Sequence, residues 1–225
     1  MEVSREAELT LKFINQTNRS IFLTGKAGTG KTTLLKEIVS TTHKNTVVVA
    51  PTGIAALNAG GVTIHSLFQL PFATFLPTND YIDSNSDYLR LENYNTLRRH
   101  FKMNAIKKSV IKNVELLIVD EVSMLRADVL DAMDLMLRTV RRNDSVFGGV
   151  QVLFIGDLLQ LPPVVKNEEW YFLKNYYNGI YFFNAKCLEQ FPPLYVELNK
   201  IYRQSDDVFI SILNNLRNNK ITKND

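Results

Sequence analysis

The sequence predicts an α/β protein built on a parallel sheet, and three observations lead to that prediction. Short apolar runs rich in β-branched residues recur along the chain. They are nearly continuous rather than alternating, as strands buried on both faces are. Segments with helical spacing separate them, as crossovers between parallel strands require. The predicted strands are residues 20–25, 46–51, 115–121, 150–157 and 193–199.

One amphipathic helix is predicted between the third and fourth strands, packed on the sheet. Its apolar residues recur at helical spacing: Leu125, Val129, Met133, Met136 and Val140. Its charged residues fall largely on the other side: Arg126, Asp131, Asp134, Arg138 and Arg141.

Two further segments leave alternatives open. Residues 71–95 mix prolines, aspartates, asparagines and aromatics, which indicates an excursion from the sheet as an inserted subdomain or a long loop. Residues 98–112 are basic with interleaved apolar residues. They could contact nucleic acid, but a helix with a solvated basic face and an apolar core stripe is the preferred interpretation.

Composition narrows the class of protein. A chain of 225 residues, 45% hydrophobic and 22% charged, fits one globular domain. No apolar run approaches the ~20 residues of a membrane span, and the first residues lack the apolar region of a secretory signal. We expect a cytoplasmic protein, or a nuclear or mitochondrial one in a eukaryote. The single cysteine, Cys187, excludes an intrachain disulfide, and the net charge of +3 permits a nucleic-acid partner without requiring one.

The segment GKAGTGKT follows the first strand and precedes a helix-forming stretch, where a phosphate-binding P-loop has to lie. Its glycines let backbone N–H groups wrap phosphates, Lys31 reaches the β- and γ-phosphates, and Thr32 binds Mg²⁺. A purely structural turn is disfavoured by the flanking strand and helix. We predict a site for ATP and Mg²⁺ whose nucleotide-binding residues are Gly25, Ala27, Gly28, Thr29, Gly30, Lys31, Thr32 and Thr33.

Two adjacent acids end the third strand, in LLIVDE. Asp120 is predicted to bind Mg²⁺, and Glu121 to accept the proton of the attacking water. The alternative, solvated loop acids, is disfavoured by the P-loop upstream.

Two residues after later strands are candidates for contact with the γ-phosphate. Gln160, in GDLLQLPPV, carries an amide that both donates and accepts hydrogen bonds. Arg203, in IYRQSD, follows the fifth strand, from which an arginine can reach a γ-phosphate. Taken singly, each has a plainer alternative: a loop residue for Gln160 and a surface ion pair for Arg203.

The segment APTGIAALNAGGVTIHSLF follows the second strand. Thr52 and Gly53, and Thr63 further on, could hold the phosphate backbone of a nucleic acid, and His65 could stack on a base or bind a phosphate. A structural role for His65 is the alternative.

Taken in order, these motifs resemble those of the PIF-like DNA helicases, a superfamily-one group that also includes RecD-like enzymes. FLTGKAGTGKT is similar to their motif I, APTGIAALNAGGVTIHSLF to motif Ia and the segment after it, LLIVDEVSML to motif II, GDLLQLPPV to motif III and IYRQ to motif IV. The stretch between motifs II and III is similar to the signature that separates PIF-like enzymes from other helicases. The resemblance covers residues 21–204.

The resemblance implies a RecA-like motor domain that hydrolyses ATP to move five-prime to three-prime on single-stranded DNA. It assigns catalytic roles to Glu121, Lys31, Gln160 and Arg203, and Mg²⁺ to Thr32 and Asp120. It places Thr52, Gly53, Thr63 and His65 along the DNA track. Residues 71–95 would correspond to a small wedge subdomain.

Two departures from the family pattern qualify this interpretation. The segment REAELTLKF has no glutamine where the family reads adenine, which leaves specificity for ATP open. No motif of a second RecA-like domain follows motif IV. We therefore expect a monomeric half of a motor that lacks its second RecA-like domain and does not unwind DNA alone.

Two rival functions remain. One is a nucleotide-dependent module that binds DNA or protein without translocation. The other is a P-loop kinase acting on a small molecule, in which GDLLQLPPV and IYRQ would have no evident task.

Overall fold

The computed structural model describes residues 4–82, 85–86, 89–101, 103–200, 202 and 215. The strands in these residues are β1 (Ile21–Gly25), β2 (Thr46–Ala50), β3 (Val62–Thr63), β4 (Thr74–Phe75), β5 (Asn85–Ser86), β6 (Leu89–Glu92), β7 (Leu116–Val119), β8 (Gln151–Ile155) and β9 (Leu194–Leu198). The α-helices are α1 (Arg5–Gln16), α2 (Lys31–Thr41), α3 (Gly53–Ala59), α4 (Ile64–Phe68), α5 (Tyr94–Leu97), α6 (Ala105–Asn113), α7 (Ala127–Arg141) and α8 (Asn167–Leu173). Short 3₁₀ turns occupy Arg98–His100, Val122–Met124, Val146–Gly149, Phe182–Asn184 and Lys186–Leu188.

Six strands form one parallel sheet in the order β3-β2-β7-β8-β1-β9. All the strands predicted from the sequence lie in it, with ends that coincide with the predicted ones or lie one or two residues inside them. β3 was not predicted, because two residues are too few to show a periodicity. Since every neighbouring pair is parallel, the carboxyl ends of the strands meet at one edge of the sheet.

Alternate strand residues face opposite sides of the sheet, and helices cover both. Ile21 and Leu153 pack with residues of α1 and α2, such as Leu35. Phe22 and Phe154 belong to a second cluster with the apolar side of α7. Burial of one such side chain stabilises the fold by about 1.5–3 kcal/mol. The predicted parallel sheet with helices on both faces is present.

On the charged side of α7 the two aspartates are buried, while the arginines are partly exposed. Asp131 is 5% exposed and accepts hydrogen bonds from Tyr177 Oη at 2.8 Å, Lys186 N at 3.0 Å and Cys187 N at 2.9 Å. Asp134 is likewise buried beneath the turn after α7. These carboxylates hold the backbone of the following segments against the helix, so helical spacing identified one packed face and missed the other.

Residues 71–95 contain a small second sheet. Its strand order is β4-β6-β5, with β4 parallel and β5 antiparallel to β6. The ladder continues past β4, since Leu76 N donates to Glu92 O at 2.8 Å. The two forms expected here were a subdomain and a loop. The described residues of this segment contain paired strands, which is closer to a small subdomain than to a loop.

The basic segment 98–112 does not form the continuous helix that was expected. A 3₁₀ turn precedes α6, which begins only after Asn104 accepts a capping bond from Lys107 N at 2.8 Å. Ile111 is buried but Ile106 is 76% exposed. Phe101 and Met103 pack against the core from outside α6, so the predicted core contact is present in part, but not as the stripe of one helix.

Among the described residues, no helix is both long and apolar enough to cross a membrane. The cytoplasmic location stays a prediction.

Candidate active site

A cavity of about 430 Å³ opens at the carboxyl edge of the sheet, between the β1–α2 loop and the ends of β7 and β8. This volume lies in the range of small-molecule sites. Most of the predicted nucleotide-binding residues line it: Ala27, Gly28, Thr29, Gly30, Lys31, Thr32 and Thr33. Glu121 and Gln160 line it as well, so the fold brings segments far apart in sequence to one cavity.

The β1–α2 loop has a shape that only glycines allow. A Cβ on Gly25 would lie 2.6 Å from Thr29 Oγ1 and 2.8 Å from Leu198 O, which is too close for real atoms. Gly30 has φ +87°, the left-handed region that side chains disfavour. Gly25 is thus placed next to the cavity without lining it.

The ammonium group of Lys31 is held by this loop. Lys31 Nζ donates to Gly25 O at 2.6 Å and to Lys26 O at 3.1 Å. A nucleotide with Mg²⁺ requires a cation and backbone N–H groups for its phosphates, and carboxylates for the metal ion. The loop supplies the first two, and the acids after β7 supply the third. The residues present therefore fit that ligand.

The two acids predicted to act on Mg²⁺ and water follow β7. Asp120 Oδ1 accepts from Glu121 N at 2.9 Å. Burial raises the pKa of Asp120, while the Glu121 N–H and Lys31 lower it. Burial also raises the pKa of Glu121, as do the charges of Asp120 and Asp157, against the opposing effect of Lys31. A carboxylate in a cavity whose pKa is raised is a candidate general base.

Glu121 has φ 50° and ψ 44°, a left-handed conformation that is uncommon outside glycine. Such strain is found at functional sites, where the surrounding structure maintains it. Here the turn that follows, in which Met124 N donates to Glu121 O at 3.1 Å, fixes the backbone.

Gln160 is exposed, and its backbone is fixed by Asp157. Gln160 N donates to Asp157 O at 2.9 Å, and Leu159 N donates to Asp157 Oδ1 at 3.1 Å. Asp157 is 2% exposed and its charge raises the pKa of Glu121, a role that the sequence interpretation did not assign. Its position directly after a buried strand was the available signal. Arg203 lies outside the described residues.

The sequence interpretation also missed several residues that line the cavity. Ser4, Ala7 and Leu198 line it, together with Tyr202, whose N–H donates to Gly28 O at 2.9 Å. Tyr202 lies directly before Arg203, so the IYRQ motif contained the signal. Ala7 belongs to the segment where no adenine-reading glutamine was found, and Ser4 directly precedes that segment.

The residues predicted to contact DNA form a separate group at the same edge, and none of them lines the cavity. Ala50 of β2 pairs with Thr63 of β3, which sets the starts of α3 and α4 side by side. Thr52 Oγ1 accepts from Ala55 N and Thr63 Oγ1 from Ser66 N, each at 3.2 Å. Each hydroxyl still carries its own hydrogen, which is not used in these bonds. Gly53 is exposed at the first position of α3.

His65 is half-buried and lies face to face with Phe72, with ring centroids 4.6 Å apart and an interplanar angle of 14°. Burial lowers the pKa of His65, and Arg126 lowers it further despite the nearby Asp128. The imidazole is therefore neutral at pH 7, which suits stacking better than an ion pair with phosphate.

Comparison with known proteins links this arrangement to one family. The family model described as PIF1-like helicase matches residues 5–225. The chain is 34% identical over 221 residues to the ATP-dependent DNA helicase PIF1 of Saccharomyces cerevisiae, covering 96% of this chain and 23% of that protein.

Solved structures give the same result. Bacteroides Pif1 bound to single-stranded DNA matches with a TM-score of 0.85 and 45% identity, over 100% of this chain and 48% of that one. Bacteroides Pif1 in complex with ADP-AlF₄ matches with a TM-score of 0.82 and 42% identity, over the same shares of the two chains. The predicted α/β, RecA-like fold is confirmed, and the chain spans about half the length of these solved relatives.

Proposed function

This chain belongs to the PIF1-like helicase family, and from that premise we propose that it is the ATP-hydrolysing motor domain of a five-prime-to-three-prime DNA helicase. The observation that carries the proposal is the single cavity in which the P-loop, Glu121 and Gln160 meet. The described relatives support it, since one binds ADP-AlF₄ and another single-stranded DNA.

In the proposed reaction ATP is the substrate and the P-loop holds its phosphates. Lys31 neutralises phosphate charge, and Gln160 orients the attacking water. Glu121 accepts the proton of that water, which requires its ionised form. A Mg²⁺ ion would be held by the Thr32 hydroxyl and the Asp120 carboxylate and would neutralise the charge that develops on the phosphates.

Two contributions come from outside the described residues in this proposal. Arg203 contacts the γ-phosphate from the segment after β9. In this proposal a second RecA-like domain packs against the open side of the cavity and converts ATP binding into movement. We propose that these 225 residues are monomeric.

Single-stranded DNA is the proposed partner at the second group of residues. The hydroxyls of Thr52 and Thr63, with the bare backbone at Gly53, contact the phosphate backbone, and neutral His65 stacks on a base. Residues 71–95 form the wedge-like subdomain beside this track.

The first test is the activity of this polypeptide alone. We expect slow ATP hydrolysis and no strand separation, because a single RecA-like domain does not supply the surface that the proposal places against the open side of the ATP site. Release of inorganic phosphate and displacement of a labelled strand from a forked duplex measure the two activities. ATP-dependent displacement by this polypeptide would contradict the half-motor proposal.

The second test concerns the DNA track. Thr52→Asp and Thr52→Asn both cap the start of α3, but only aspartate adds a charge facing the proposed phosphate. We expect Thr52→Asp to bind an oligo-dT strand at least about fivefold more weakly than Thr52→Asn, because like charges repel by about 1 kcal/mol or more at 4 Å. Fluorescence anisotropy at several salt concentrations measures the binding.

The salt series separates the proposals. A track along DNA predicts affinity that falls as salt rises, since bound phosphates release counterions. Equal affinities of the two Thr52 variants would remove this residue from the track. DNA binding that is tightened by a non-hydrolysable nucleotide, without ATP turnover, would instead favour the nucleotide-dependent binding module.

A further inference from the structure

Phe72 is an exposed aromatic residue in a defined position. Its side chain is 85% exposed, and its ring lies parallel to the ring of His65, with centroids 4.6 Å apart. Single exposed apolar residues are common and need no explanation. Phe72 differs from them because one face of its ring is packed on a candidate DNA-binding residue, while most of the ring remains open to solvent.

The backbone on both sides of Phe72 is anchored, so its exposure is built into the fold. Ala73 N donates to Pro71 O at 3.0 Å, which closes a tight turn around Phe72. Before the turn, Leu70 is 7% exposed. After it, Thr74 is buried and its hydroxyl donates to Glu169 Oε1 at 2.9 Å. The ring is therefore held in place before any ligand arrives, which lowers the entropy lost on binding.

The surroundings match the chemistry of single-stranded DNA. Burial keeps His65 neutral at pH 7, so the pair of rings is an uncharged aromatic stack. Lys107 Nζ donates to Ser66 O at 2.8 Å, which places an ammonium group beside the residue that follows His65. Surfaces that bind single strands combine aromatic rings for the bases with cations for the phosphate backbone.

We propose that Phe72 extends the DNA track and that the open face of its ring stacks on a nucleobase of single-stranded DNA, with His65 as the ring behind it. The inference rests on the proposed function and names a contact within it. A base inside a duplex has no open face, so the contact selects single strands. Stacking does not depend on which base is present, so the contact carries no sequence preference.

The test compares three variants on two strands. Phe72→Ala removes the ring, Phe72→Leu removes the aromatic face but keeps an apolar side chain, and Phe72→Trp enlarges the face. We expect Phe72→Ala and Phe72→Leu to weaken binding to oligo-dT by at least about fivefold, and Phe72→Trp to bind at least as tightly as the unaltered chain. On an abasic strand of equal length, all should bind alike.

Phe191 is the matched control, because it is an exposed phenylalanine near the amino end of β9, at the opposite edge of the sheet. Phe191→Ala should bind oligo-dT as the unaltered chain does. Unchanged binding of both Phe72→Ala and Phe72→Leu would overturn the inference. So would an equal loss on the abasic strand, because that result indicates a structural role. If the unaltered chain does not bind oligo-dT at all, the proposed DNA track fails first and the inference falls with it.

Discussion

Glu121→Gln is expected to reduce ATP hydrolysis by about 10²- to 10⁴-fold while nucleotide binding is retained. The amide has the shape of the carboxylate but cannot accept the proton of the attacking water. Nucleotide binding should persist or tighten. The substitution removes a negative charge from the cavity proposed to hold the negatively charged phosphates. Phosphate release measures turnover, and titration with a fluorescent nucleotide measures binding.

Lys31→Ala provides the contrasting variant. Its ammonium group lies on the loop predicted to wrap the phosphates, so its loss should abolish binding itself rather than the chemical step alone. Glu168→Gln, at an exposed position of α8, makes the same chemical change as Glu121→Gln away from the cavity and should leave both quantities unchanged. Normal hydrolysis by Glu121→Gln would mean that another group is the base.

The pH profile adds a second readout. Burial and neighbouring acids raise the pKa of Glu121 above its ordinary value of 4.5. A base with a raised pKa becomes protonated at a higher pH than an ordinary glutamate, so hydrolysis should be lost as the pH falls through that raised value. The residual activity of Glu121→Gln should show less of this loss, and the part that remains is expected from Asp120, whose pKa burial also raises.

The ends of the strands and the P-loop could be predicted because each is recognised from a short contiguous stretch of sequence. A buried strand followed by polar residues puts those residues at the carboxyl edge of a parallel sheet, whatever the rest of the chain does. By that rule Glu121 and Gln160 reach the cavity that the structure shows, with Asp120 directly before Glu121. The ordered motifs also identified the family, which the comparisons confirm. The roles of these residues stay predictions.

The remaining features depend on contacts between distant segments. Ser4, at the start of α1, and Tyr202, beyond β9, both line the cavity. Hydrophobic periodicity does not indicate which distant segments come into contact. The buried aspartates of α7, such as Asp131, were missed for a related reason. Helical spacing finds an apolar face but does not show whether a second layer covers the polar one.

Arg126 was expected on the charged side of α7, and the structure makes it a junction of three segments. Its guanidinium pairs with both oxygens of Asp128, at 2.9 and 2.8 Å, and with Glu169 Oε1 at 2.7 Å. Asp128 in turn accepts from Phe75 N at 3.1 Å. The start of α7, the small sheet and α8 are thus joined through one side chain.

Arg126→Ala is expected to lower the free energy of unfolding by about 3–5 kcal/mol, because it leaves the carboxylate of Asp128 buried without its counter-ion. Asp128 is 1% exposed, so solvent does not reach its carboxylate in the native fold. Denaturant titration followed by circular dichroism measures the change. Arg99→Ala, at an exposed position, should stay within about 0.5 kcal/mol of the unaltered chain.

A double variant, Arg126→Met with Asp128→Asn, separates two explanations of that loss. If the unpaired buried charge causes it, the double variant should recover much of the stability, since the asparagine carries no charge and its Oδ1 can still accept from Phe75 N. If Arg126 acts mainly by tying the segments together, the double variant should be no better than Arg126→Ala. A loss below about 1 kcal/mol in Arg126→Ala would mean that the junction contributes little.

Acid provides an independent check on the same junction. Despite burial, which raises it, the pKa of Glu169 is lowered, chiefly by its hydrogen bond from Arg126. A group with a lowered pKa contributes stability that is fully present above its ordinary value of 4.5 and is lost as the pH falls through the lowered one. The difference in stability between the unaltered chain and Arg126→Ala should therefore shrink over that acidic range. A difference that stays constant would mean that the ion pair with Glu169 contributes little to the loss.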